Sequence, residues 1–179
     1  MYSEDPVWLV PEELIKKFSD FCFKNSISER RIVRLFDAYL LRGRDNRKSK
    51  NIEILQQSFF DLQAHIKYNH LKQVSKNEAK IIQPPYCKKK YMIFYDRSYN
   101  WYTITEALDT YSDFLKEEKN FTVEFIGELV NIGLITGKYN LSENCYHILL
   151  PSFVDLIKYR DYSVSKILLL PPPPDFPQA

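Results

Sequence analysis

The chain has little glycine, little cysteine and no long apolar run. Four glycines in 179 residues are too few for Gly-rich phosphate loops or for the tight turns of an all-β fold, which favours helices. Neither GxxxxGKS/T nor GxGxxG occurs. The three cysteines, Cys22, Cys87 and Cys145, are isolated and odd in number. That argues against a disulfide framework and against a Cys-based zinc site. No uninterrupted apolar stretch approaches the roughly 20 residues of a membrane helix. The start, MYSEDPVWLVPEEL, lacks the basic-then-apolar order of a signal peptide. The expectation is a soluble intracellular protein. His65 and His70 share no helix face well and His147 lies far along the chain, so no metal site is expected from them. No Ser-His-Asp or Cys-His order carries a local signature. A non-enzyme without a cofactor is expected.

Aromatic residues and charge are what the chain has in quantity. Twelve Phe, 13 Tyr and 2 Trp predict an aromatic core. Residues 1–90 hold 18 Lys/Arg against 11 Asp/Glu, net +7, whereas residues 91–179 hold 7 against 12, net −5. Hydrophobic residues make up 45% of the chain, enough for a core and too many for a disordered chain.

The pattern divides into four parts. Residues 1–72 read as a helical bundle. Pro11 with Glu12 and Glu13 marks one helix start, and Ser26-Ile-Ser-Glu29 reads as a capping box for a second. Gly43 suits that second helix's C-cap, and a third helix runs from about Ser49 to Lys72. Residues 73–90 form a basic, Pro-containing connector. Residues 91–160 begin with a strand, Tyr91-Met-Ile-Phe-Tyr95. A helix capped at Thr103 or Thr105 follows, with Glu106 in the reciprocal role for Thr103, then one capped at Thr122 and ending near Gly137. A hairpin, Lys138–Leu141 and Cys145–Leu150, precedes a helix from Pro151 to about Tyr159. Residues 161–179 form an apolar and Pro-rich tail. The fold class is mainly α with a small antiparallel sheet.

The order strand, helix, turn, helix, hairpin over 91–150 resembles a winged helix-turn-helix. Ile104-Thr-Glu-Ala-Leu108 and Phe125-Ile-Gly-Glu-Leu-Val-Asn-Ile-Gly-Leu-Ile135 carry the likeness. The resemblance implies that helix 122–135 lies in a DNA major groove, with Asn131 placed to read adenine. Its solvent face would carry Thr122, Glu124, Glu128 and Asn131 but no Lys or Arg. Carboxylates repel phosphate, so this helix also suits protein docking.

Cations gather earlier. Arg30, Arg31 and Arg34 fall on a helix, and Arg42, Arg44, Arg47, Lys48 and Lys50 in an exposed turn. Lys88, Lys89 and Lys90 sit beside Tyr91. Arginines grip phosphates in bidentate fashion and tyrosines stack on unpaired bases. Such runs are also common as plain solvated faces. Asp109, Asp113 and Glu117, at i, i+4 and i+8, form an acidic stripe suited to a basic partner. Leu168, Pro171, Pro172 and Phe176 would offer a polyproline docking segment.

Two functions fit. One is a non-enzymatic nucleic-acid-binding protein, a regulator or a replication or plasmid factor, that contacts DNA or RNA through its basic half. The other is a structural subunit of a larger assembly, with a protein partner or further copies of itself docking on the acidic module and tail. No membrane partner is expected.

Overall fold

Pro11 opens helix α1 (Pro11–Lys17), and the Glu13 carboxylate accepts the Val10 N–H at 3.2 Å. A short α2 (Ser19–Lys24) follows. Helix α3 (Glu29–Asp37) is capped not by Ser26, as the Ser26–Glu29 spacing suggested, but by Ser28, whose hydroxyl accepts the Arg31 N–H at 3.3 Å; Ser26 has a left-handed φ of 56°. The computed structural model describes residues 6–46, 51–71, 101–112 and 120–167. The chain turns after α3 at Tyr39, which adopts a left-handed φ of 60°. Strands β2 (Gly43–Asn46) and β3 (Asn51–Leu55) form a hairpin, and β1 (Trp8–Leu9) pairs on the other edge of β3, giving the order β1-β3-β2.

Residues 1–72 were expected as a helical bundle, yet this part of the chain carries a three-stranded sheet, and two further expectations need correction. The helix expected from Ser49 begins only at Gln56, as α4 (Gln56–Leu71), because Asn51–Leu55 is a strand. Gly43 is no helix cap. It lies in β2, where a Cβ would collide with the Glu53 carbonyl, so backbone proximity requires glycine there.

The later part of the chain has β4 (Trp101–Thr103), α5 (Ile104–Thr110), α6 (Val123–Asn131), β5 (Gly137–Asn140), β6 (Cys145–Leu149) and α7 (Leu150–Ile167). Of the two caps that the sequence allowed for α5, Thr103 and not Thr105 serves, and Thr122 caps α6 as expected. The Thr103 hydroxyl accepts the Glu106 N–H at 3.2 Å while Glu106 accepts the Thr103 N–H at 2.8 Å, and the Thr122 hydroxyl accepts the Phe125 N–H at 3.2 Å. The hairpin also stands where expected, but α6 ends at Asn131 and the chain turns at left-handed Gly133 (φ 88°), so Gly137 opens β5 and does not end the helix. The strand expected at Tyr91–Tyr95 lies outside the described residues, and α7 continues past Tyr159 to Ile167. The sheet order is β4-β6-β5. The molecule is thus mainly helical with two small antiparallel sheets.

The two sheets are built the same way, and the sequence repeats with them. Residues 28–68 and 122–162 align without a gap at a spacing of 94, and twelve of the forty-one positions are identical. The densest match sets ILQQSFFDL (54–62) against ILLPSFVDL (148–156). The backbone obeys the same spacing. Leu40 N–H donates to Leu35 O at 2.9 Å and Leu134 N–H to Leu129 O at 3.0 Å. Leu55 N–H donates to Arg42 O and Leu149 N–H to Thr136 O, both at 2.9 Å. The Ser58 hydroxyl accepts the Arg42 N–H and the Ser152 hydroxyl the Thr136 N–H, both at 2.7 Å. Even the ring contacts recur: Arg44 lies 4.2 Å from the Trp8 ring centroid and Lys138 lies 4.4 Å from that of Trp101.

The described residues form two compact units. The first runs up to Gln63 and resumes at Arg160; the second spans Ala64 to Tyr159. Helix α4 therefore begins in the first unit and ends in the second, and α7 does the reverse. In the first unit Leu14, Ile32, Leu35, Ile54, Phe59 and Leu62 are buried, and Phe18 packs on Phe59 with centroids 4.9 Å apart. In the second, Ile104, Ile126, Leu129, Ile148, Phe153 and Leu156 are buried. Asn69, from the end of α4, completes the second unit's core. It donates to Gly133 O at 3.0 Å, and its own oxygen accepts from Ser152 at 2.9 Å and Thr136 at 3.2 Å. Buried polar atoms are thereby paired.

Candidate nucleic-acid and docking faces

The helix that precedes the hairpin in each repeat, α3 in the first and α6 in the second, turns one face to solvent. On α3, Ile32 and Leu35 point inward and Arg30 is exposed, with Arg34 one turn further on and half-buried. Arg31 is half-buried and donates to Ser26 O at 2.5 Å, bracing the entry to its own helix. The first repeat thus carries three arginines on the helix before its hairpin. The residues connecting β2 to β3 are Arg47-Lys48-Ser49-Lys50. Arg47, Lys48 and Lys50 lie outside the described residues, as do Lys88, Lys89, Lys90 and Tyr91.

Two of the expected phosphate contacts have other occupations. Arg42 is fully buried and forms an ion pair with Asp61, 5.4 Å from the Tyr162 ring centroid. It sits on no exposed turn and is not a surface cation. Burial, with the Asp61 carboxylate adding to it, raises the Tyr162 hydroxyl pKa above its ordinary value, and Arg42 opposes the shift. Arg44 lies directly across from Glu53 in the ladder, and its Nε donates to that carboxylate at 2.7 Å. With Trp8 beneath it, Arg44 is held on the hairpin rather than extended into solvent.

The solvent face of α6 carries what the sequence suggested. Thr122, Glu124 and Asn131 are exposed and Glu128 is half-buried. Asn131 accepts the Tyr146 hydroxyl at 3.1 Å, so its oxygen already has a partner. Val123 is 52% exposed. Asp109 is exposed on α5, but that helix ends at Thr110, so the stripe does not continue along it. Asp113 and Glu117, like Leu168, Pro171, Pro172 and Phe176, lie outside the described residues.

A groove runs beside each of these helices. In the first unit it measures about 450 Å³ and is lined by Val10, Pro11 and Glu12, by Glu29, Arg30 and Val33 of α3, and by Asn51 and Ile52 of β3. In the second unit it measures about 400 Å³. Thr103, Ile104 and Thr105 take the first three places there, Val123, Glu124 and Gly127 the next three, and Cys145 and Tyr146 the last two. All eight positions of the first groove thus recur in the second, the last five of them at the repeat spacing of 94. Glu128, Asn131, Tyr139 and Asn144 extend the second groove. Arg30 in one becomes Glu124 in the other, and Arg34 on α3 corresponds to Glu128.

One donor cluster lies at the tip of the β5–β6 hairpin. His147 Nε2 is 2.6 Å from Glu143 Oε2, the Cys145 thiol donates to the same oxygen at 3.7 Å, and the three ligand-type atoms lie within 4.8 Å of one another. Burial and then the Glu143 carboxylate push the Cys145 thiol pKa up. His65 has a different setting: it is buried and stacked on Tyr159, ring centroids 4.7 Å apart.

The duplication was the feature that sequence reading missed. Its signal was present in the ILQQSFFDL and ILLPSFVDL pair and in the Gly43 and Gly137 match, where a Cβ at Gly137 would lie 2.8 Å from Val130 Cγ1. No family model, curated protein or solved structure matches this chain. Among the described residues, no helix is long and apolar enough to cross a membrane.

Proposed function

We propose that the protein is a non-enzymatic nucleic-acid-binding protein built from two winged-helix modules, and that the first module makes the contact. Several features support this reading. Each repeat has a strand, a helical segment, a second helix and a hairpin in the order that a winged helix uses. The first repeat joins that order to positive charge. The observation that carries the proposal is the pair Arg30 and Arg34 on α3, one turn apart on the helix before the hairpin. In a winged helix this helix enters the major groove. Arg30 also lines a groove with Asn51, the residue that follows Lys50. The four-residue connection containing Arg47, Lys48 and Lys50 therefore leads into a residue of that groove.

The second module, with carboxylates at the matching positions, suits protein docking and orients the first. In this way the docking role and the nucleic-acid role fall to different repeats.

Fluorescence anisotropy with a labelled 20-base-pair duplex, a single-stranded oligonucleotide and an RNA hairpin tests the reading. Micromolar binding at 50 mM salt is expected, weakening steeply as salt rises. The Arg30→Ala/Arg34→Ala variant should reduce the salt slope by about 2, roughly 0.9 for each phosphate no longer neutralised. Glu124→Gln/Glu128→Gln should leave the affinity unchanged or raise it. Absence of binding to all three probes at 50 mM salt, or an arginine variant indistinguishable from the parent, would refute the proposal.

A further inference from the structure

We propose that Glu143, Cys145 and His147, at the tip of the β5–β6 hairpin, form a site for a divalent cation of the zinc class, one ion per chain. The site stands whether or not the first unit takes nucleic acid.

The strand brings the three together. Glu143-Asn-Cys-Tyr-His147 sets ligand-type residues at i, i+2 and i+4. On a helix Cys145 would face away from the other two, whereas alternate residues of a strand share a face. Cys145 and His147 are alternate residues of β6, and Glu143 reaches back to them from the turn. Glu143 Oε2 lies 2.6 Å from His147 Nε2 and 3.7 Å from Cys145 Sγ, and the three donor atoms fall within 4.8 Å of one another. Ligands about 2.0–2.3 Å from a tetrahedral zinc ion stand roughly 3.3–3.5 Å apart. Small side-chain rotations therefore fit the cluster around an ion. On binding, the thiol proton leaves to solvent and the imidazole keeps one proton, on Nδ1.

The surroundings leave these groups to each other. Among the described residues, the three side chains hydrogen-bond only with one another. Lys138, opposite His147 in the ladder, lies instead against the Trp101 ring, 4.4 Å from its centroid. The turn also fixes Glu143. Asn140 Oδ1 accepts the N–H of Ser142 at 3.0 Å and that of Glu143 at 3.2 Å, and the Tyr139 hydroxyl donates to Asn144. A ligand held before the ion arrives costs less entropy to order. The first hairpin has Ser49, Asn51 and Glu53 at the positions 94 earlier, and Glu53 is taken by Arg44. The fold common to both repeats thus does not require the donor set. Expecting no metal from cysteine pairs and histidine spacings passed over a mixed set on one strand. Thiolate and imidazole select zinc or cobalt over magnesium and calcium, and three ligands leave a fourth position for water.

Titration of the reduced whole chain with cobalt(II), then competition by zinc, tests the site. A thiolate-to-cobalt charge-transfer band in the near ultraviolet should saturate at one ion per chain. Zinc should displace the cobalt with Kd of about 0.1–10 μM, weaker than a four-ligand structural site, and 5 mM magnesium should not. Amide shifts with zinc should concentrate in 138–148. Cys145→Ser should abolish the band, His147→Gln and Glu143→Gln should each weaken zinc binding at least about tenfold, and Cys87→Ser should change neither. Zinc should raise the urea midpoint of the parent but not of Cys145→Ser, while their metal-free midpoints agree, which separates a lost ligand from a lost fold. No band at 1 mM cobalt, or a band that survives Cys145→Ser, overturns the proposal. Saturation at one ion per two chains would place the ion between copies and overturn it equally.

Discussion

An arginine removed from water needs an anion beside it, and Asp61 supplies one to Arg42. The pair lies between strand and helix in the first unit, with Gln57 donating to the other Asp61 oxygen at 3.2 Å. Buried ion pairs add little net stability, because desolvation offsets attraction, yet removing one partner leaves a buried charge. Asp61→Ala should therefore lower stability by about 3–5 kcal/mol, well beyond a typical surface change. Arg42→Met/Asp61→Leu should regain most of that, since it buries apolar groups of similar volume instead. Urea midpoints of the three variants decide. If the double variant is no more stable than Asp61→Ala, the charge pair is not the cause of the loss. The same burial explains why counting cations along the chain overstates the first unit's surface charge. Arg42 and Arg44 neutralise acids on their own unit, whereas on α3 Arg30 is exposed and Arg34 half-buried.

At the scale of the element, the repeat makes an internal control. Ser58 and Ser152 each sit two residues inside a long helix and accept the backbone N–H of the residue before a strand or one close to it, both at 2.7 Å. Losing either hydroxyl leaves a buried N–H without its acceptor, a cost of about 1–3 kcal/mol. Ser58→Ala and Ser152→Ala should destabilise by similar amounts, with Ser152→Ala the worse because its hydroxyl also donates to Asn69. Unchanged urea midpoints at both positions would show that the hydroxyls do not hold strand to helix. Which elements were legible follows from how local their causes are. Thr103 and Thr122 announce helix starts because a side chain three residues from its partner decides them, whereas the Ser26–Glu29 spacing pointed two residues too early, to Ser26 instead of Ser28. Asn51–Leu55 was hidden because Ile52 and Leu55 also fit the apolar spacing of the helix behind them. Only pairing with Gly43–Asn46 and Trp8–Leu9 makes those residues a strand. The charged half of the candidate site was legible residue by residue. Its place in a repeat was not, because Arg30 against Glu124 and Arg34 against Glu128 reverse the feature that the eye follows.

At the scale of the whole molecule, each unit depends on a helix that starts in the other. Helix α4 is continuous from Gln56 to Leu71 across the division at Gln63, and α7 is continuous from Leu150 to Ile167 across the division at Tyr159. A helix cannot melt at one end without exposing the apolar groups packed at that end, so both units should unfold together despite having separate sheets. The chain carries its own reporters, because Trp8 belongs to the first unit and Trp101 to the second. In Trp8→Phe and Trp101→Phe backgrounds, the remaining tryptophan should report coincident urea transitions. Lys67 is exposed on α4 within the second unit, and Lys67→Pro removes a helical bond there at a cost of about 3 kcal/mol. That substitution should move both tryptophan transitions by the same amount, while Lys67→Ala moves neither. A shift confined to Trp101, with Trp8 holding its midpoint, would mean that the shared helices do not tie the repeats into one folding unit.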